Sequence, residues 1–97
     1  MTNTPIPAIR ISISSGPSRE ELFDALRLRH EHRPILVKVH PLDQKPMDIK
    51  FIVNGIAVED GGGQNWLIEL LNVQTHQIVR GYYNSRTRAG WLDFPRV

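Results

Sequence analysis

The second half of this 97-residue chain is built from apolar runs separated by residues that favour turns. The runs begin near Ile49, Trp66, Ile78 and Trp91, and they are rich in aliphatic, β-branched and aromatic side chains. Short apolar runs with polar or glycine-rich connections are typical of antiparallel strands joined by hairpins. The pattern therefore predicts a β-meander for this half of the chain.

The first of these runs allows two alternatives. Asn54 and Gly55 tolerate positive φ angles, so they can form a tight hairpin turn between two short strands. Alternatively, one long strand passes through a glycine bulge and continues to Glu59. The long strand is favoured, because the three glycines at 61–63 are the stronger break and residues 65–72 form a partner of matching length.

The first half of the chain predicts a strand, a helix and a second strand. Isoleucines alternate with polar residues over residues 8–14, as expected of a half-buried strand. Ser18 and Glu21 have the spacing of a capping box, so a helix is expected to begin at Arg19. A second strand follows over residues 35–40. Strand, helix and strand within about 33 residues is the length of a compact βαβ or split βαβ unit.

These elements together predict a single α+β domain over residues 8–97. One helix packs on a mainly antiparallel sheet, and the strand-helix-strand unit is followed by the β-meander. Residues 1–7 contain Pro5 and Pro7, which cannot sustain a strand ladder, so this segment is expected to be a flexible lead-in.

Composition excludes several classes of protein. The chain has no cysteine, which removes disulfides, thiolate nucleophiles and cysteine-type zinc sites. Its net charge of +2 is too small for a global basic field, so any attraction of anions must be local. No apolar run approaches the roughly 18 residues needed to cross a membrane, and a secretion signal is absent, so no membrane partner and a cytoplasmic location are expected.

No motif in the sequence predicts catalysis, a cofactor or a metal. The glycines at 61–63 lead into a strand, whereas a phosphate-binding loop leads into a helix. The spacing of the histidines matches no metal-binding motif, and no nucleophile is aligned with a base; the histidines are His30, His32, His40 and His76. Glu69 interrupts an apolar strand and is expected to pair with Arg80 across a hairpin. The chain is predicted not to be an enzyme, although a small enzyme without a recognisable motif remains an alternative.

The strongest functional candidate is a basic, aromatic region in the last hairpin. No Asp or Glu occurs between Leu70 and Leu92, whereas arginines and aromatic rings are concentrated there. Successive strand residues point to opposite faces, so one of the two adjacent tyrosines is expected to lie in the core. The predicted partner-binding residues are Arg80, Tyr82, Tyr83, Arg86, Arg88 and Trp91.

Two kinds of partner fit these residues. Arginine, tyrosine and tryptophan are common anchors of protein interfaces, and a meander has an edge strand that can pair with another chain. The favoured prediction is a non-enzymatic accessory, inhibitor or assembly subunit that binds a protein, or itself, through the basic aromatic loop and a sheet edge. The alternative is binding of RNA or single-stranded DNA by the same side chains, extended by a second basic group if the fold brings it alongside; that group is Arg27, Arg29, Arg33 and Lys38.

Overall fold

A computed structural model of the chain describes residues 8–58 and 65–95. In chain order these residues form β1 (Ala8–Ser15), α1 (Arg19–Arg27), a short 3-10 helix (Arg29–Glu31), β2 (Ile35–His40), β3 (Met47–Val58), β4 (Asn65–Asn72), β5 (Ile78–Asn84) and β6 (Ala89–Pro95). Neither helix in the described ranges has the length and apolar character needed to cross a membrane.

The strands form a closed antiparallel barrel in chain order, which corrects the predicted α+β fold. The last strand returns to the first, with Ile11 opposite Leu92 and Ile9 opposite Phe94. β1 is also antiparallel to β2, with Ser12 opposite His40, so the predicted βαβ or split βαβ unit is wrong. Closure removes the sheet edge through which a partner strand was expected to pair.

Local backbone features explain how short strands curl into a barrel. β3 contains a register shift between Val53 and Gly55, which confirms the long bulged strand rather than a hairpin at this point. A bulge bends its strand and increases the local twist. Gly81 and Gly90 permit a second tight region, because a Cβ on Gly81 would overlap the backbone oxygen of Trp91 and one on Gly90 would overlap that of Tyr82.

Inward-facing side chains from all six strands fill the barrel. β2 alternates strictly between buried and exposed residues, and β4 and β5 also bury every second side chain. The buried set includes Ile13, Val37, Phe51, Trp66, Leu70, Tyr83 and Leu92.

Helix α1 closes the end of the barrel at which β1 finishes. The predicted capping box is confirmed, because Ser18 Oγ accepts from the Glu21 amide at 3.2 Å and a Glu21 carboxylate oxygen accepts from the Ser18 amide at 3.4 Å. Leu22 is buried in the core, and the ring of Phe23 packs edge-to-face on Trp66 with centroids 5.1 Å apart. The helix, which contacts β2 and β3, therefore stabilises one end of the barrel.

The glycines at 61–63, which were weighed as a phosphate-binding loop, lie outside the described residues, as does the predicted lead-in at 1–7.

Candidate binding face

Two rows of side chains lie next to each other on the outer face of the barrel. The aromatic row consists of Leu67, Tyr82 and Trp91, which are successive partners across β4, β5 and β6. The charged row consists of Glu69, Arg80, Asp93 and Arg10, which are successive partners across β4, β5, β6 and β1. Residues two apart on a strand share a face, so the two rows are adjacent and parallel.

The aromatic row presents a stacked pair of rings beside an exposed aliphatic side chain. Tyr82 and Trp91 have centroids 6.2 Å apart and an interplanar angle of 18°. The guanidinium carbon of Arg10 lies 3.6 Å from the centroid of the Trp91 ring, which is the geometry of a cation–π contact. Leu67 is 46% exposed at the other end of the row. The outer face thus carries large apolar side chains, although the backbone pairing of the strands does not require apolar side chains there.

The charged row is held by ion pairs that also contain hydrogen bonds. Arg80 Nε donates to Glu69 at 2.8 Å, which confirms the predicted cross-strand pair, and Asn54 Nδ2 donates to the second Glu69 oxygen at 2.6 Å. These two hydrogen bonds, that of Arg80 first, lower the pKa of Glu69. Glu69 therefore stays ionised at neutral pH.

Asp93 has an equivalent partner on the first strand. Arg10 donates to its two carboxylate oxygens from Nε at 2.9 Å and from Nη2 at 3.2 Å. The hydrogen bond to Asp93 raises the pKa of Arg10 above its ordinary value. A bidentate arrangement of this kind fixes the plane of the guanidinium group, and here that plane lies over Trp91.

A groove of about 450 Å³ lies against part of the two rows, and neither Tyr82 nor Arg10 lines it. Leu67, Ala57 and Trp91 contribute its apolar surfaces, and Glu69, Arg80 and Asp93 contribute its polar groups. Gly55 and Gly81 also line this space. The groove therefore combines apolar surfaces with a fixed set of charges, as expected of a recognition site.

The structure divides the predicted site residues into three groups. Arg80, Tyr82 and Trp91 are brought together on the outer face. Tyr83 lies in the interior with 1% exposure, and its hydroxyl donates to the backbone oxygen of Pro17 at 2.6 Å. Burial raises the pKa of Tyr83 to about 12. Tyr83 fastens the β1–α1 connection to the barrel and is not accessible to a partner.

Arg86 and Arg88 form the third group, in the turn between β5 and β6. The Asn84 side-chain oxygen accepts from the amides of Arg86 and Thr87, at 2.9 and 3.0 Å, which shapes the turn. Arg88 has a positive φ of 58°, and its backbone oxygen accepts from the Gly16 amide. Both arginine side chains are exposed, and neither lines the groove.

The second basic group is divided by local ion pairs. Arg27 binds Asp24 at 3.1 Å and Arg33 binds Glu31 at 2.9 Å. Within residues 8–58 and 65–95, no hydrogen bond or ion pair joins this group to Arg86 or Arg88.

Sequence reasoning missed several residues that complete the binding face. The segment from Leu70 to Leu92 has no acid, but strand pairing places Glu69 and Asp93 on either side of Arg80. Leu67 and Arg10 were also missed as site residues. The alternation of β1 placed Arg10 on the polar side of its strand, but only the pairing of β1 with β6 brings it to Trp91.

No cluster of three or more His, Asp or Glu side chains suited to hold a metal ion occurs in the described part of the chain. Comparisons with protein-family models, with curated proteins and with solved structures found no match to the chain.

Proposed function

We propose that the protein is a non-enzymatic binding module that recognises a partner protein through the groove beside the aromatic row. The observation that carries this proposal is an outward-facing apolar surface next to fixed charges, formed by exposed Leu67 and the half-buried rings of Tyr82 and Trp91. Aromatic residues and arginine are enriched at protein interfaces, and exposed apolar groups rimmed by polar ones are typical of them.

The charges on this face favour a protein over a nucleic acid. Glu69 and Asp93 lie beside Arg80 and Arg10, so the charged row contains equal numbers of acids and bases. Because the row carries no net charge, it does not attract a polyanion as a whole, whereas a polypeptide can match both signs.

The same ion pairs support a role without catalysis. A general acid needs a carboxyl group that holds its proton near neutral pH, yet hydrogen bonds lower the pKa of Glu69. Both Asp93 oxygens accept hydrogen bonds from Arg10, so this carboxylate is also engaged.

A matched pair of substitutions tests the proposed face. Leu67 and Leu36 point outward from β4 and β2 and are 46% and 55% exposed, but only Leu67 lines the groove. Leu67→Lys and Leu36→Lys therefore make the same chemical change at similarly exposed sites. Both variants should keep nearly the wild-type melting temperature.

Affinity purification from an extract of the native source, with quantitative mass spectrometry, provides the measurement. We expect proteins recovered with the wild type to be retained by Leu36→Lys and depleted at least about tenfold by Leu67→Lys, because a desolvated interface does not accept an unpaired ammonium group. Equal recovery with both variants would remove the groove as the binding face.

Nucleic-acid binding is a second candidate, supported by the turn between β5 and β6. Arg86 and Arg88 are both exposed and form no ion pair within the described residues. Titration with single-stranded oligonucleotides at low and moderate salt tests this role. Binding that weakens steeply with salt and is lost in the Arg86→Ala/Arg88→Ala variant would favour it; absence of binding at low salt would exclude it.

The cytoplasmic location expected from the sequence remains a prediction, which fractionation of the native cells can test.

A further inference from the structure

The charged side chains of the groove differ in how many further hydrogen bonds they can form. Both oxygens of Glu69 and both oxygens of Asp93 already accept hydrogen bonds from side chains of the protein. Arg80 uses only its Nε atom, for Glu69, and no other partner of its guanidinium group lies within residues 8–58 and 65–95. The two Nη atoms of Arg80 can donate four further hydrogen bonds. Among the charged side chains that line the groove, Arg80 therefore keeps the largest unused hydrogen-bonding capacity.

The position of Arg80 leaves its guanidinium group accessible to a ligand. The Arg80 side chain is 77% exposed, whereas that of Glu69 is 28% exposed. Arg80 lines the groove together with Leu67 and Trp91. The hydrogen bond through Nε also restrains the guanidinium group, so less conformational freedom is lost when a carboxylate binds its outer edge.

Apolar surface flanks the same donor. Leu67, Ala57 and Trp91 line the groove together with Arg80. The contact with Arg10 and the stacking on Tyr82 hold the Trp91 ring in one orientation. A space of about 450 Å³ accommodates a few side chains rather than a folded domain.

We infer that the groove binds a short segment of a partner protein in which an acidic residue is adjacent to large apolar side chains. The acidic residue forms hydrogen bonds with the Nη atoms of Arg80, and the apolar side chains pack against Leu67 and Trp91. This inference rests on the proposed function and adds the chemistry of the partner to it.

Selection from a phage-displayed library of random dodecapeptides tests this chemistry without knowledge of the natural partner. Enriched peptides are synthesised, and their dissociation constants are measured by fluorescence anisotropy. We expect enrichment of Asp or Glu beside Leu, Ile, Phe or Trp. Replacing the acid by its amide should weaken binding about five- to tenfold, since a charge-assisted hydrogen bond at a partly exposed site is lost.

Variants of the protein assign this effect to Arg80. Arg80→Gln should remove the difference between the acidic peptide and its amide while retaining the preference for apolar side chains. Arg86→Gln makes the same change of charge outside the groove and should preserve the discrimination. Trp91→Ala should weaken the acidic and amide peptides equally. An unchanged acid preference in Arg80→Gln, or its equal loss in Arg86→Gln, would overturn the inference.

The outcomes separate this inference from the proposed function. If Leu67→Lys loses protein partners but selected peptides show no acid preference, the groove remains a protein-binding face and the inferred chemistry is wrong. Failure to select any peptide that Trp91→Ala weakens also overturns the inference. Equal partner recovery by Leu67→Lys and Leu36→Lys overturns the proposed function itself.

Discussion

The guanidinium carbon of Arg10, on the first strand, lies 3.6 Å from the ring centroid of Trp91, on the last strand. This contact exists because β6 pairs with β1 and closes the barrel. The same guanidinium group also donates two hydrogen bonds to the Asp93 carboxylate, which fix its position. Barrel closure therefore determines the orientation of an aromatic ring on the proposed binding face.

Arg10→Gln should release this ring without unfolding the protein. The ion pair with Asp93 is largely exposed, so its loss should leave the melting temperature nearly unchanged. Fluorine NMR of protein labelled with fluorotryptophan reports the two tryptophans separately. We expect the Trp91 resonance to shift and the resonance of buried Trp66 to stay in place, with Trp91→Phe providing the assignment. Two unchanged resonances would show that Arg10 does not restrain the ring.

Gly81→Ala should destabilise the barrel by about 3 kcal/mol or more. The added methyl group would overlap the backbone oxygen of Trp91, and backbone cannot move aside as a flexible side chain can. Gly55→Ala is the control, because its Cβ would meet only Glu69 Cβ at 3.9 Å. Urea denaturation measures both free energies of unfolding. Similar values for the two variants would show that close approach at Gly81 is not required.

Tyr83 should make the protein sensitive to alkali. Its pKa rises from 10.0 to about 12 on folding, so the folded state retains a proton that the unfolded state has lost between these pH values. The contribution of Tyr83 to the free energy of unfolding is fully present below pH 10 and is lost as pH rises toward 12. Tyr83→Phe should cost about 1 kcal/mol at neutral pH, through loss of the hydrogen bond to Pro17, and should flatten the alkaline decline. Denaturation at a series of pH values measures both effects; an equally steep decline in the variant would contradict this assignment.

Glu69 should contribute to stability in the opposite pH range. Its folded pKa lies below its ordinary value of 4.5, so its contribution is present above that pH and is lost as pH falls through the folded pKa. The wild type should therefore lose more stability on acidification than Glu69→Gln does. Glu20→Gln, at an exposed position on α1, serves as the control and should follow the wild type. If the stability of the wild type and of Glu69→Gln fell in parallel on acidification, the lowering of the Glu69 pKa by Arg80 would be contradicted.

Local sequence patterns were sufficient to identify the strands and the helix. The isoleucine alternation of β1, the Ser18 capping box and the glycine bulge of β3 each depend on neighbouring residues, and each is present in the structure. Closure depends on pairing between Ile11 and Leu92, which are distant in sequence, so no local pattern specifies it. Gly81, inside an apolar run, was the available sequence signal of a close approach between backbones.

The binding face was predictable only in part for the same reason. Arg80, Tyr82 and Trp91 occur within one hairpin, and alternation correctly assigned one of the adjacent tyrosines to the interior. Glu69 and Asp93 lie just outside the acid-free segment and enter the site through strand register. A segment that is basic in sequence therefore becomes part of a charge-balanced surface in the fold.

Site-specific photocrosslinking at Leu67, with Leu36 as the control position, is the measurement to make on the binding face. A photoreactive phenylalanine analogue is placed at either position, and the protein is irradiated in an extract of the native source. We expect crosslinked partners from position 67 and few from position 36, because only the first lines the groove. Equal crosslinking at both positions, or crosslinking at position 36 alone, would contradict recognition through the groove.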